Sequence, residues 1–161
     1  MTRSSIRKKF DDAAGKMCEA VIPVKHERFE GGGKKVAICT LGSIDLLEAI
    51  SASPLMGQVA IAGRLLSENK GIDAIIQFAM SHPDLKRIIL CGKEVRGHNA
   101  GQALLSLHKN GVDSNGRIVG AKGPYPSVRS PREMVDRFRK QVGIIDMVGV
   151  TDLGRIALSI A

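Results

Sequence analysis

Few side chains in this chain are reactive by type: the 161 residues include four histidines and three cysteines. One histidine stands apart by its setting. In CGKEVRGHNAGQALLSLHKNG, a strand-like apolar run ends at Cys91-Gly92, a loop carries the chain to Gly97, and His98 falls where a helical pattern begins. The positive end of a helix dipole disfavours imidazolium, which leaves a ring-nitrogen lone pair free to bind a metal. Gly97 removes a side chain just before His98, and Ala100 and Gly101 keep the first turn slim, so a large planar group could lie against the loop. The next turn offers Gln102 rather than His or Glu, which excludes a zinc site of the H-E-x-x-H kind. The metal chemistry left to His98 is a single axial bond to a metal held by a macrocycle. Spacing alone also leaves a helix cap or a plain surface residue open.

The other reactive side chains read as structural. His26 lies in an N-terminal arm, His82 precedes the helix-ending Pro83, and His108 sits near a helix C-terminus, where a cation suits the dipole. Cys39 and Cys91 end strand-like runs with no evident base beside them, and read as small buried hydrophobes. Gly92 and Gly97 have the outer spacing of a phosphate-binding P-loop. The positions for its Lys and Ser/Thr hold His98 and Asn99 instead, and no G-x-G-x-x-G follows a strand, so nucleotide binding is the runner-up reading. No nucleophile elbow or Ser-His-Asp order appears.

Composition narrows the classes further. A net charge of +8 invites an anionic partner, yet the basic residues scatter along the chain. With no Trp and one Tyr, it lacks the aromatic platforms of single-strand binders, so nucleic acid is not expected. No apolar run reaches the length of a membrane span, and the start MTRSSIRKKFDD has no apolar core, so neither a membrane anchor nor secretion is expected. Three cysteines without a close pair, Cys18 being the third, fit a reducing cytoplasm. Length favours one core: an arm over residues 1–34 and one domain over 35–161.

Short strand-like and helical patterns alternate along that domain. KKVAICTLGS predicts a strand ending at Gly42, with Ser43 capping a helix through IDLLEAIS. GQVAIAG predicts a second strand closed by Gly63. IDAIIQFAMSH predicts a helix with Ile72, Ile75, Ile76 and Ala79 on one face, and LKRIILCG a third strand. HNAGQALLSLHKNG predicts a helix closed by Gly111, and GRIVGAKG a fourth strand. SPREMVDRFRKQV predicts a helix capped by Ser130, and GIIDMVGV a fifth strand. The alternation implies an α/β, Rossmann-like, mostly parallel sheet of about five strands with helices on both faces. Ligands of such sheets bind beyond the carboxyl ends of the strands. TLGS, AGRLLSEN, GKEVRGH and GAKGPYP should meet there, bringing Gly42, Ser43, Gly63, Gly97, His98, Gly120, Ala121 and Gly123 to one edge.

VAICTLGS, GHNAGQALLSLHKNGVD, RIVGAKG and VDRFRKQVGIIDMV, in that order, resemble the corrinoid-binding A subunit of the methanogen tetrahydromethanopterin S-methyltransferase complex, over about residues 35 to 148. The resemblance implies a cobalamin-binding domain in which the histidine of G-H-x-x-G-Q, here His98, is the lower axial ligand of cobalt. Gly97, Gly101 and Gln102 match its surroundings, and Gly42 with Ser43 match the first-strand loop. It further implies methyl carriage from methyl-tetrahydromethanopterin or a related donor toward a thiol such as coenzyme M, in methanogenesis, together with partner methyltransferase proteins. The chain would be a carrier rather than a catalyst by itself, and a homo-oligomer is compatible with that role. Axial binding and release by His98 would track the methylation cycle. Its second ring nitrogen should meet a tuning partner, for which Asp45, Glu94 and Ser43 are the candidates. The wider D-x-H-x-x-G corrinoid motif is half present, since Arg96 stands in place of the Asp, so an acid must come from elsewhere. The ending VTDLGRIALSIA is too short for the anchor helix of the membrane-bound relative. A corrinoid store or delivery protein is the alternative within the binding class.

Overall fold

The computed structural model describes residues 28–161. Cys18, His26 and the arm before residue 28 lie outside them. Among the described residues, five strands and five α-helices follow in the order β1 Arg28–Glu30, β2 Val36–Cys39, α1 Ile44–Ser51, β3 Ile61–Gly63, α2 Lys70–Ser81, β4 Arg87–Gly92, α3 Ala100–Asn110, α4 Arg132–Gln141, β5 Gly143–Val148 and α5 Leu153–Ile160. The strands form one sheet in the order β1-β3-β2-β4-β5. β2 is its centre, parallel to β3 on one side and β4 on the other; β5 extends β4 in parallel, and β1 runs antiparallel to β3.

Alternation along the strands sorts the core into two layers. Ala37, Cys39, Ile88 and Leu90 join Ile72, Ile76 and Ala79 of α2, Leu104 and Leu107 of α3, and Val135 and Phe138 of α4. Val36, Ile38, Ile89 and Cys91 face the other way, onto Leu46, Leu47 and Ile50 of α1 and Ile156 and Ile160 of α5. Because successive strand side chains point to opposite faces, β2 and β4 read as continuous apolar runs only when both faces are covered. The α/β class and the mostly parallel five-strand sheet stand as expected, and Ile75 is partly buried beside its helix neighbours.

The membership of the sheet differs from the sequence pattern in three places. GRIVGAKG is not a strand: residues 111–131 are irregular, held by isolated bridges between Val112 and Ile118 and between Arg117 and Ser127. Gly116 and Gly120 take positive φ there, and Pro124 and Pro126 lack the N–H that a ladder needs. The fifth strand is instead Arg28–Glu30 at the opposite edge. GQVAIAG shortens to Ile61–Gly63, because Pro54–Gly57 winds into a 3₁₀ turn first. The chain's last turns, rather than trailing off, form α5, with Asp152 capping the amide of Arg155 at 2.7 Å.

Two expected caps also differ. Ser43 holds the N-cap position of α1 but makes no side-chain cap bond; its Oγ accepts from the Lys93 amide at 2.9 Å. Ser130 is not the cap of α4, since Pro131 holds that position. Ser130 Oγ donates to Asp73 Oδ1 at 2.7 Å, and the Asp73 carboxylate also accepts the amides of Arg129 and Ser130, so α2 fixes the approach to α4.

Candidate corrinoid-binding edge

Strand order reverses at the centre of the sheet: the crossover after β2 goes to one neighbour, β3, and the next to the other, β4. The loops after β2 and β4 therefore diverge to opposite faces at the carboxyl ends of the strands, where open α/β sheets bind ligands. Here the two loops are tied together. Gly42 N–H donates to the Lys93 carbonyl at 2.9 Å, and Arg64, just beyond β3, donates from Nη2 to the Gly42 carbonyl at 3.3 Å. A Cβ on Gly42 would come within 3.1 Å of the Lys93 carbonyl, so only glycine permits this approach without a shift. Leu41, fully buried, adopts φ 50 in the same turn, a conformation costing a β-carbon residue about 1 kcal/mol or more.

The β4 loop then delivers His98 two residues ahead of α3. The helix is capped by Asn99 at φ 51, without a side-chain cap bond. Glu94 supplies what Asn99 does not: its Oε1 accepts from the Gln102 amide at 3.0 Å. His98 itself projects outward, its side chain 47% exposed, while its Nδ1 lies 3.1 Å from Oε2 of Glu68, a carboxylate only 1% exposed. The other oxygen of Glu68 accepts from the Tyr125 amide at 3.0 Å. A carboxylate can only accept, so Nδ1 carries a ring proton, and in the neutral imidazole the lone pair is on Nε2. Nε2 has no hydrogen-bond partner among the described residues.

None of Asp45, Glu94 and Ser43 is the partner of His98. Glu94 is committed to α3, and Ser43 to Lys93. The acid beside His98 is Glu68, from the loop between β3 and α2. Glu68 carries one signal in the sequence, a lone carboxylate in AGRLLSEN at a strand's carboxyl end, but its pairing is tertiary and no spacing rule reaches it.

The glycines divide by role. A Cβ at Gly97 would meet nothing within 4 Å, so the space beside His98 is open, although φ +85 makes any side chain there strained. Gly101 faces inward: its added Cβ would strike Glu94 Oε1 and come within 3.0 Å of Leu41 Cδ1, so the interior requires its smallness. We expect Gly101→Ala to destabilise the fold by about 1–3 kcal/mol, measured by urea denaturation. Gly123 is buried against the His98 carbonyl, with Glu68 Cγ 3.1 Å from where its Cβ would be. Gly120 is held by Gln102, whose Nε2 donates to the Gly120 carbonyl at 3.0 Å, and Ala121 leans on the core. Gly63 belongs to the sheet, its carbonyl accepting from the Thr40 amide at 2.9 Å.

The remaining reactive groups are held in the structure. His108 Nε2 lies 2.7 Å from the Val142 carbonyl, and His82 Nδ1 lies 2.8 Å from that of Phe78. Burial pushes the thiols of Cys39 and Cys91 up to about 12, which leaves almost no thiolate near neutrality and removes both as nucleophiles.

Residues 17–161 match the model of the MtrA family, the A subunit of tetrahydromethanopterin S-methyltransferase. The chain belongs to that family. Among its relatives, a tetrahydromethanopterin S-methyltransferase A 2 subunit from Methanothermobacter thermautotrophicus is 42% identical over 78% of this chain and 67% of its own length. The A subunit of a putative methyltransferase Mtx from Methanosarcina barkeri is 38% identical over 88% and 68%, and the tetrahydromethanopterin S-methyltransferase A subunit from Methanocaldococcus jannaschii is 39% identical over 78% and 51%. The chain thus spans between about half and about two thirds of the length of the relatives it matches. No helix among the described residues is long and apolar enough to cross a membrane.

Proposed function

We propose that this member of the MtrA family binds a corrinoid at the carboxyl edge of its sheet and carries a methyl group for partner methyltransferases, with His98 Nε2 as the axial ligand to cobalt. The observation that carries the reading is the ordered half of His98: a buried carboxylate fixes Nδ1 while Nε2 stands open beside Gly97. Metal-bound histidines characteristically anchor their second nitrogen in this way.

The residues present fit such a group. Gly97 leaves open space on the His98 side, the loops after β2 and β4 are pinned to each other, and Glu68 holds a proton on Nδ1, so that a neutral ring presents its lone pair at Nε2. Bound there, a corrinoid supplies a cobalt centre that accepts a methyl group from a donor such as methyl-tetrahydromethanopterin and yields it to a thiol such as coenzyme M. The chain's own work is to orient Nε2 and to keep the ring proton on Nδ1 through Glu68. Free Cys39 and Cys91 accord with a reducing cytoplasm.

The test is visible absorption of the purified protein titrated with cobalamin. A spectrum in which the cofactor's own base is displaced by a protein imidazole supports the reading; no binding sinks it. Loading without methyl exchange to any methyltransferase would leave storage or delivery of the corrinoid as the function.

A further inference from the structure

Gln102 matches the family motif beside His98, where the resemblance implies contact with the cofactor, yet its hydrogen-bonding groups are spent inside the protein. Nε2 donates to Ser106 Oγ and to the Gly120 carbonyl, both at 3.0 Å, which uses both of its hydrogens. Oε1 accepts from the Lys122 amide at 2.9 Å. The side chain therefore grips residues 120–122 from both sides. That segment continues into Gly123, packed against the His98 carbonyl, and into Tyr125, whose amide donates to Glu68. Glu68 in turn holds His98 Nδ1.

We propose that Gln102 is the positioning residue for His98. It acts through a closed circuit: Gln102 seats residues 120–122, these place the Tyr125 amide, the amide holds Glu68, and Glu68 sets the orientation and tautomer of the imidazole. The circuit closes because Gln102 and His98 lie four residues apart at the start of α3. The irregularity of residues 111–131 follows from the same role. A strand would spend its amides on a sheet neighbour, whereas this segment gives those of Lys122 and Tyr125 to two side chains that serve His98.

The inference rests on the reading of His98 as the axial ligand, but its decisive test needs no corrinoid. In the cofactor-free protein, the ring-nitrogen NMR signals of His98 report tautomer and hydrogen bonding, and amide exchange reports the hold on Lys122 and Tyr125. Gln102→Leu is expected to move the His98 ring signals away from the Nδ1-protonated tautomer. It should also speed exchange at Lys122 and Tyr125 by about tenfold or more, while Ile89 and Leu90 in β4 stay protected. Gln102→Glu keeps the acceptor for Lys122 and loses both donors, so its Lys122 amide should remain slow while its His98 signals fall between wild type and Gln102→Leu. Wild-type His98 signals and Tyr125 exchange in both variants would overturn the proposal. If β4 also opens in Gln102→Leu, the Gln102→Glu result decides. With cobalamin added, the imidazole-ligated fraction should fall in the order wild type, Gln102→Glu, Gln102→Leu. A wild type that binds no cobalamin would sink the corrinoid reading while leaving the NMR result on Gln102 intact.

Discussion

Cobalamin bound to the His98→Ala variant should show no protein imidazole on cobalt, and its affinity should fall by about 100-fold or more. Loss of a ligand exceeds the 10–100-fold that loss of an outer partner typically costs. Free imidazole added at millimolar concentration should restore much of the ligated spectrum, because the side chain is half exposed and the space beside Gly97 is open. The same variant leaves Oε2 of Glu68 buried without its partner, at a cost of about 1–3 kcal/mol that urea denaturation would register. A variant that binds cobalamin with an unchanged spectrum would remove His98 from the site.

Glu68→Gln should be nearly as damaging to the axial bond, for a different reason. The side-chain amide has one acceptor and one donor end, and the Tyr125 amide N–H demands the acceptor. The NH₂ group is then turned toward His98 Nδ1, which must become an acceptor itself, and the ring proton moves to Nε2. The lone pair that would bind cobalt is lost while shape and burial are kept. We expect cobalamin affinity through His98 to fall about 10–100-fold, with the imidazole-ligated fraction reduced in the visible spectrum. The ring-nitrogen NMR of the cofactor-free variant should show the tautomer reversed. A Glu68→Gln protein that retains Nδ1–H and full ligation would show that the carboxylate merely packs.

Much of this architecture is legible in the sequence because it follows from periodicity. VAIC and RIILCG are apolar almost throughout, as a strand covered on both faces requires, and Ile72, Ile76 and Ala79 keep the helical interval. The exceptions are equally physical. RFE is too short to carry a pattern, and it forms a strand only because β3 presents an edge. RIVGAKG has a strand's composition, but its glycine dihedrals and the claims of Gln102 and Glu68 on its neighbouring amides override the local preference. At the site, His98 is visible from its helix start and its glycines, whereas Glu68 is brought to it by the turn of the chain between β3 and α2, 30 residues upstream. Loop residues meet through the sheet order, which no local pattern encodes.

The two buried thiols give each layer of the protein its own reporter. Cys39 points into the layer of α2, α3 and α4, and Cys91 into that of α1 and α5. With burial raising both thiols to about 12, thiolate is scarce near neutrality. Alkylation is therefore gated by transient opening of the layer that covers each sulfur. In a Cys18→Ser background, the ratio of labelling at the two sites would read which side of the sheet breathes first. Binding at the carboxyl edge should slow Cys39, which lies next to Thr40 in the pinned loop, more than a ligand elsewhere on the molecule would.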